Sequence, residues 1–126
     1  MESEKCGRTG KYDLEERLID FSIGVIDIVE TLPNSRVGSH IANQLVRSGT
    51  SPAANYGEAQ SAESRSDFIH KMLISLKELR EARIWLLIIK RKGLIKPAVK
   101  VLQILEESCE LIAIFAASVK TAKRKG

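Results

Sequence analysis

Apolar residues recur along this chain at steps of three and four over separate stretches, the spacing of amphipathic helices. Leu14, Leu18, Phe21, Val25, Ile28 and Leu32 share one face of a first helix. Asp13 precedes them as an N-cap, with Glu16 three residues on in a capping-box arrangement. Leu32-Pro33-Asn34 ends the helix. A second helix is expected from about Ser35, with Val37, Ile41 and Leu45 facing inward. Pro52 falls inside it. A proline in a helix interior gives up a backbone donor and crowds the preceding turn. The expectation is therefore a helix kinked near Pro52 that resumes through Ala53 to Ala59. A true break, giving shorter helices on either side, is the alternative.

Ser64 or Ser66 can cap a third helix, with Asp67 in its first turn, where the helix dipole favours a carboxylate. Phe68, Ile69, Met72, Leu73, Leu76, Leu79 and Leu86 line it. It should reach Lys92, a length of about 40 Å at 1.5 Å per residue, and end at Gly93. Pro97 suits the first position of a fourth helix. There Ala98, Leu102, Leu105, Cys109, Ile112, Ala116 and Val119 read as the inward seam. The helix should fray into Lys123, Arg124, Lys125 and Gly126. No stretch carries a strand period. The predicted fold is all-α, an antiparallel up-down four-helix bundle over 13–122. A polar, flexible arm at 1–12 precedes it and a basic tail at 123–126 follows it.

More apolar surface is present than one bundle needs. Val101, Ile104, Leu111 and Phe115 form a second stripe beside the first, and Trp85, Leu86, Leu87, Ile88 and Ile89 are apolar on more than one face. Two explanations stand: a wide stripe touching two neighbours within one molecule, or self-association through these helices.

The length of 126 residues fits one domain. Aromatic residues make up only 5%, so the core must be aliphatic, which suits helices better than a sandwich of strands. The net charge of +4 matters mainly through its placement. Lys90, Arg91, Lys92, Lys96 and Lys100 surround one connection. Lys120, Lys123, Arg124 and Lys125 crowd the C-terminus, and Lys5, Arg8 and Lys11 lie in the arm. Cys6 and Cys109 have no metal-ligand companions, and Cys109 is expected as a core thiol; such usage fits a reduced, cytoplasmic protein. No secretory signal and no bilayer-spanning run is evident, so no membrane partner is expected.

Little in the chain suggests chemistry. His40 and His70 lack bundle metal-site spacing, and Glu106, Glu107 and Glu110 fall on the polar face of the fourth helix. No nucleophile elbow and no phosphate loop occurs. The expectation is a non-enzyme without cofactor or metal. Asn55 and Glu58, three positions apart, share a helix face. They serve either to satisfy backbone groups near Pro52 or pair with Arg47 or a base on the third helix, or else to bind a partner. The basic residues have two readings as well. They stabilise helix ends and keep the protein in solution, or they bind RNA or DNA. Antiparallel topology gathers Lys90, Arg91, Lys92, Lys96 and Lys100 at one end, with Lys123, Arg124 and Lys125 at the other. Without interleaved aromatic residues, recognition would be of phosphates rather than bases.

The run Arg47-Ser48-Gly49-Thr50-Ser51, then Ala54-Asn55-Tyr56, Glu58-Ala59, Ala62-Glu63-Ser64 and Asp67-Phe68-Ile69-His70-Lys71, continued by Ile74, Leu76-Lys77-Glu78 and Trp85-Leu86, resembles a family of four-helix-bundle proteins. This family is encoded in intervening sequences of bacterial large-subunit rRNA genes and sometimes carries a ribosomal-protein-like label. The likeness extends from about Leu14 into the fourth helix. Pro52 departs from the small or aliphatic residue expected after Thr50-Ser51. The resemblance implies an up-down bundle assembled into a ring, a homopentamer. It also implies similarity to accessory proteins of diversity-generating retroelements, which are basic bundles that bind a reverse transcriptase and nucleic acid. Arg47, Asn55, Glu58 and Asp67 are the motif positions with a structural or partner-binding role. Two functions follow as expectations: a homo-oligomeric scaffold that binds nucleic-acid phosphates, and a protein–protein adaptor that does not.

Overall fold

The computed structural model describes residues 13–125 and places them in four helices: α1 (Leu14–Thr31), α2 (Arg36–Gln60), α3 (Arg65–Lys92) and α4 (Val99–Arg124). The expected arm, with Lys5, Cys6, Arg8 and Lys11, lies outside the described residues, as does Gly126. Short turns join the helices, so consecutive helices run antiparallel. α1 packs on α2, α2 on α3 and α3 on α4, while α1 and α4 close the bundle through a sparser contact. No strand occurs among the described residues, and no helix there is long and apolar enough to cross a membrane.

Three of the helix starts are capped. Asp13 Oδ1 accepts from the Glu16 amide at 3.2 Å, Ser35 Oγ from Gly38 at 3.1 Å and Ser64 Oγ from Asp67 at 3.0 Å. Each bond satisfies a donor that the first helical turn leaves over. Ser64, not Ser66, is therefore the cap of α3. Gly93 ends α3 in the left-handed conformation, φ 69°, and the Leu94 amide reaches back to the Ile89 carbonyl at 3.1 Å. That reversal requires positive φ, which glycine adopts without a side-chain clash.

α2 is continuous from Arg36 to Gln60, with Pro52 inside it, so the broken-helix alternative does not hold. Pro52 cannot donate to the Ser48 carbonyl. Hydroxyls cluster around it instead: Ser48 donates to the Gln44 carbonyl at 3.0 Å, Thr50 to Val46 at 2.6 Å, and Ser75 of α3 to the Pro52 carbonyl at 3.3 Å. Ser75 thus ties α3 to the stretch the proline weakens.

Leu18, Phe21, Val25 and Ile28 of α1 form the core with Ile41 and Leu45 of α2 and with Met72, Leu79, Leu86 and Ile89 of α3. Each fully buried aliphatic side chain contributes about 1.5–3 kcal/mol over leaving it in water. α4 corrects the sequence reading. Its inward face is Val101, Ile104, Ser108, Leu111, Phe115 and Val119: the four apolar residues taken above as surplus, with Ser108 between them, and of the expected seam only Val119. The expected seam forms the flank facing α3. Leu105, Ile112 and Ala116 pack partly against the core, Leu102 is 45% exposed, and Cys109 is an exposed thiol rather than a core one. The two stripes are equally apolar, and the packing of the neighbouring helices decides which turns in; the inner one includes the buried Ser108, its hydroxyl donating to the Leu105 carbonyl at 2.6 Å. A small polar residue that bonds its own helix fits a crowded interior, and the pattern of large apolar residues hides it. Three smaller corrections follow. Val37 and Leu73 face solvent at 56% and 39%. Pro97 precedes the helix, which begins at Val99 with Ala98 at its N-cap. Lys123 and Arg124 complete the last turn of α4 instead of lying beyond it.

α1 sits close to both neighbours. A Cβ at Gly49 of α2 would come within 2.6 Å of Val25 Cγ1, and one at Gly24 of α1 would strike the end of the Ile104 side chain. α1 is locked to α4 by Arg17, which donates through Nε and Nη2 to Glu107 at 2.9 and 2.7 Å and through Nη2 to Glu110 at 2.9 Å. Glu107 and Glu110 are thus interhelical partners and not merely a polar face. Between α2 and α3, Arg47 bridges Glu78 at 2.8 Å and Glu81, and Glu81 also accepts from the Trp85 indole at 3.1 Å. Burial pushes the Glu81 carboxyl up. The hydrogen bonds from Arg47 and Trp85 and the charges of Arg47 and Lys77 outweigh it and hold the group below its usual value.

Two outcomes are expected. Gly49→Ala, by driving a methyl into the branched Val25 side chain, lowers stability by about 1–3 kcal/mol in urea unfolding. Adding Val25→Ala makes the double variant lose less than the two single losses combined. The second concerns acid. The folded Glu81 value lies below the ordinary 4.5. Its stabilisation is therefore present at neutral pH and lost as pH falls from the unfolded value through the folded one. Thermal melts between about pH 6 and pH 3 should show a shallower acid loss for Arg47→Ala than for the parent.

Candidate nucleic-acid interface

The up-down course puts the α1–α2 and α3–α4 turns at one end of the molecule. Lys90, Arg91 and Lys92 are exposed there in the last turn of α3, where cations complement the negative helix end. Gly93 then turns the chain, and Lys96 is exposed in the turn, its aliphatic stem lying over Gly93. Lys100 stands in the first turn of α4 and approaches Asp27 of α1 at 3.7 Å. Lys90, Arg91, Lys92 and Lys96 have no ion pair among the described residues. An exposed charge without an ion-pair partner keeps more of its field for an incoming anion; Asp27 and Glu30, near the close of α1, are the carboxylates at the same end.

Sequence reasoning missed two further features of this end. Arg36 opens α2 at the same level. α4 begins without a side-chain cap and has no acidic residue in its first turn. The first amides of a helix have no intrahelical acceptor and carry the positive end of its dipole. An uncapped start beside four lysines and arginines adds to the positive potential. A reader of the sequence could have found it by noting that Ala98 follows Pro97 where a Ser, Thr or Asp would normally stand.

The structure does not unite both basic groups. Lys123, Arg124 and Lys125 lie at the far end of α4, about 39 Å from its start. The motif residues are elsewhere again. Arg47 belongs to the α2–α3 ion-pair network described above. Asn55 donates to the Ser51 carbonyl at 3.1 Å and to Ser51 Oγ at 2.9 Å, and Glu58 pairs with Lys71 of α3. Both residues thus have contacts within the bundle, and Glu58 remains exposed. Asp67 supplies the amide that Ser64 caps. His40 meets Trp85 edge to face, ring centroids 5.7 Å apart. Among the described residues no group of three or more His, Cys, Asp or Glu side chains is placed to hold a metal.

An apolar flank leads into the basic end. Ile84 and Ile88 of α3 are 49% and 40% exposed, and they adjoin Leu87, Arg91 and Lys92 in one shallow groove. A second groove continues down the same side through Ile84, Arg80 and Arg83 to Cys109 and Ile112 of α4. Exposed apolar side chains thus lie on the α3–α4 flank, and α1 exposes others at Ile19, Ile23 and Ile26.

With this geometry in hand, the chain can be set beside known proteins. No curated protein matches it. A solved structure, of a protein of unknown function from the S23 ribosomal protein family of Bacteroides thetaiotaomicron, is 30% identical. It superposes with a TM-score of 0.78 over 86% of this chain and 99% of that one. Residues 11–116 match the family described as 23S rRNA-intervening sequence protein. The match spans all of α1, α2 and α3 and most of α4, with the basic turn inside it, and the chain belongs to the 23S rRNA-intervening sequence protein family.

Proposed function

We propose that this protein is a non-enzymatic, homo-oligomeric scaffold whose basic end binds RNA or DNA through phosphates. The observation that carries the reading is the set of exposed, unpaired cations, Lys90, Arg91, Lys92 and Lys96, gathered by one turn beside the uncapped start of α4. Lys100 joins them while sharing Asp27. Each cation alone attracts a phosphate weakly. Several copies held side by side present the same set repeatedly to one strand, and the bound counterions they release together make the affinity.

The α3–α4 flank supports the assembly half of the proposal. Ile84, Ile88 and Leu102 are exposed apolar side chains on one side of the molecule, and copies joined there would align their basic ends because the flank runs into them. A ring of five is the assembly that the family resemblance implies. Lys123, Arg124 and Lys125 would form a second basic rim on the opposite face of such a ring. A cytoplasmic setting suits the free, exposed Cys109. The second reading is a protein–protein adaptor, favoured by a separate groove at the far end of the bundle.

Fluorescence anisotropy with a structured RNA tests the phosphate contact. Binding should weaken steeply with salt. Lys90→Ala, Arg91→Ala, Lys92→Ala and Lys96→Ala combined should cut affinity at least about tenfold and reduce the log–log salt slope by about 3. Absence of binding at low salt overturns the reading. Light scattering tests the assembly: the mass should be a multiple of 14.0 kDa, and Ile84→Glu with Ile88→Glu should bring it down towards the single chain. A parent protein that is already a monomer at micromolar concentration removes the scaffold.

A further inference from the structure

α1 is the short helix of the bundle, 18 residues against 26 for α4. At 1.5 Å per residue the difference is about 12 Å. Its register on α4 is fixed at three levels: Asp27 beside Lys100, Gly24 against Ile104, and Arg17 on Glu107 and Glu110. Continuing that register places Leu14 near the level of Leu111 and Ile112. From Ala113 onward, about three turns of α4 have no helix of the described chain on their α1 side.

Along this stretch of α4, among the described residues, runs a groove of about 880 Å³. Its α4 wall is Ala113, Ile114 and Ala117, with Ala122 further along; its other wall is Phe68 and Met72 of α3, with Tyr56 of α2 and Leu14 of α1 at the closed end. Tyr56 is steadied by an edge-to-face contact with Phe115, centroids 5.9 Å apart. Arg65 and Lys125 stand in the lining, and it contains no Asp or Glu.

We propose that this groove docks an amphipathic, acidic helix of a partner protein, lying where a longer α1 would lie. Three features select that occupant. The walls are helices whose backbone groups are already bonded along the helix, so an extended peptide would find no free edge to pair with. A helix brings its own backbone bonds. The α4 wall is paved with alanines at a spacing of four, Ala113 and Ala117, so an incoming helix can approach to the 8–10 Å separation of packed helices. The cations of Arg65 and Lys125, unopposed in the lining, favour carboxylates along the edges of the partner and disfavour a basic helix. The site is at the opposite end from the basic α3–α4 turn, so it depends neither on nucleic-acid binding nor on the α3–α4 flank.

The test uses the full chain and two fluorescein-labelled synthetic helices of about 14 residues, long enough to span about 21 Å. Both carry Leu at positions one, five, eight and twelve; one has Glu on its polar face and the other has Lys. The acidic helix should bind at least about tenfold more tightly than the basic one. Ala117→Glu, at an exposed position in the groove, should cost the acidic helix at least about tenfold. Arg65→Glu with Lys125→Glu should reverse the preference between the two helices. Lys90→Ala with Lys92→Ala, at the other end, should change neither affinity. Circular dichroism checks that every variant keeps its helix content. Equal binding of the two helices, no binding of the acidic one, or an equal effect from the distant lysines overturns the proposal. So does a fall in the mass by light scattering on Ala117→Glu alone, since a second copy would then be the occupant of the groove.

Discussion

Where α1 meets α2, the branched side chain of Val25 lies against the bare backbone of Gly49; where it meets α4, Ile104 fills the space over Gly24. Two missing side chains let three helices approach closely, and close-packed interiors tolerate little sliding. That seat sets the height of α1 in the bundle. Arg17 then falls opposite Glu107 and Glu110, and Asp27 opposite Lys100. The same height determines what stays open. One turn higher or lower, α1 would meet different carboxylates and leave a different length of α4 bare.

The two ends of the molecule are unlike as a result. At one, charge dominates: exposed cations at the close of α3 stand beside the uncapped start of α4. At the other, shape dominates: an apolar trough with two cations in its lining. Between them, the α2–α3 face is stapled by polar contacts, Arg47 to Glu78 and Glu81 and Lys71 to Glu58. Exposed ion pairs contribute little stability individually. They do choose one pairing of α2 with α3 over its alternatives, because a slipped register would strand each charge.

Much of this was legible from spacing alone. The helices, their order, the cap at Asp13 and the stop at Gly93 follow from periodicity and end chemistry, which are local properties; between Ser64 and Ser66 as the cap of α3 the spacing did not choose. The inward side of α4 was not. Its two stripes, Leu102-Leu105-Cys109-Ile112 and Val101-Ile104-Leu111-Phe115, are of comparable hydrophobicity, and only the neighbours decide which turns in. Cys109 was misplaced for that reason, and Val37 because one β-branched residue near a helix start mimics a stripe. The basic end could be read because consecutive cations at a turn stay together whatever the packing. The trough could not, since it depends on the relative heights of α1 and α4, a quantity set by Gly24 and Gly49 and absent from any single helix.

The up-down course has a consequence for how the chain reaches this state. Among the described residues every extensive interface joins helices adjacent in sequence, and only the α1–α4 contact, the sparsest, links helices far apart in the chain. Loop closure costs more entropy the longer the loop. Helical hairpins can therefore form from nearby segments, with α2–α3 the most extensive of them, before the ends of the chain meet. Topologies with such low contact order fold in about microseconds to milliseconds. The seam between the first and last helices is then the last to zip and the first to breathe.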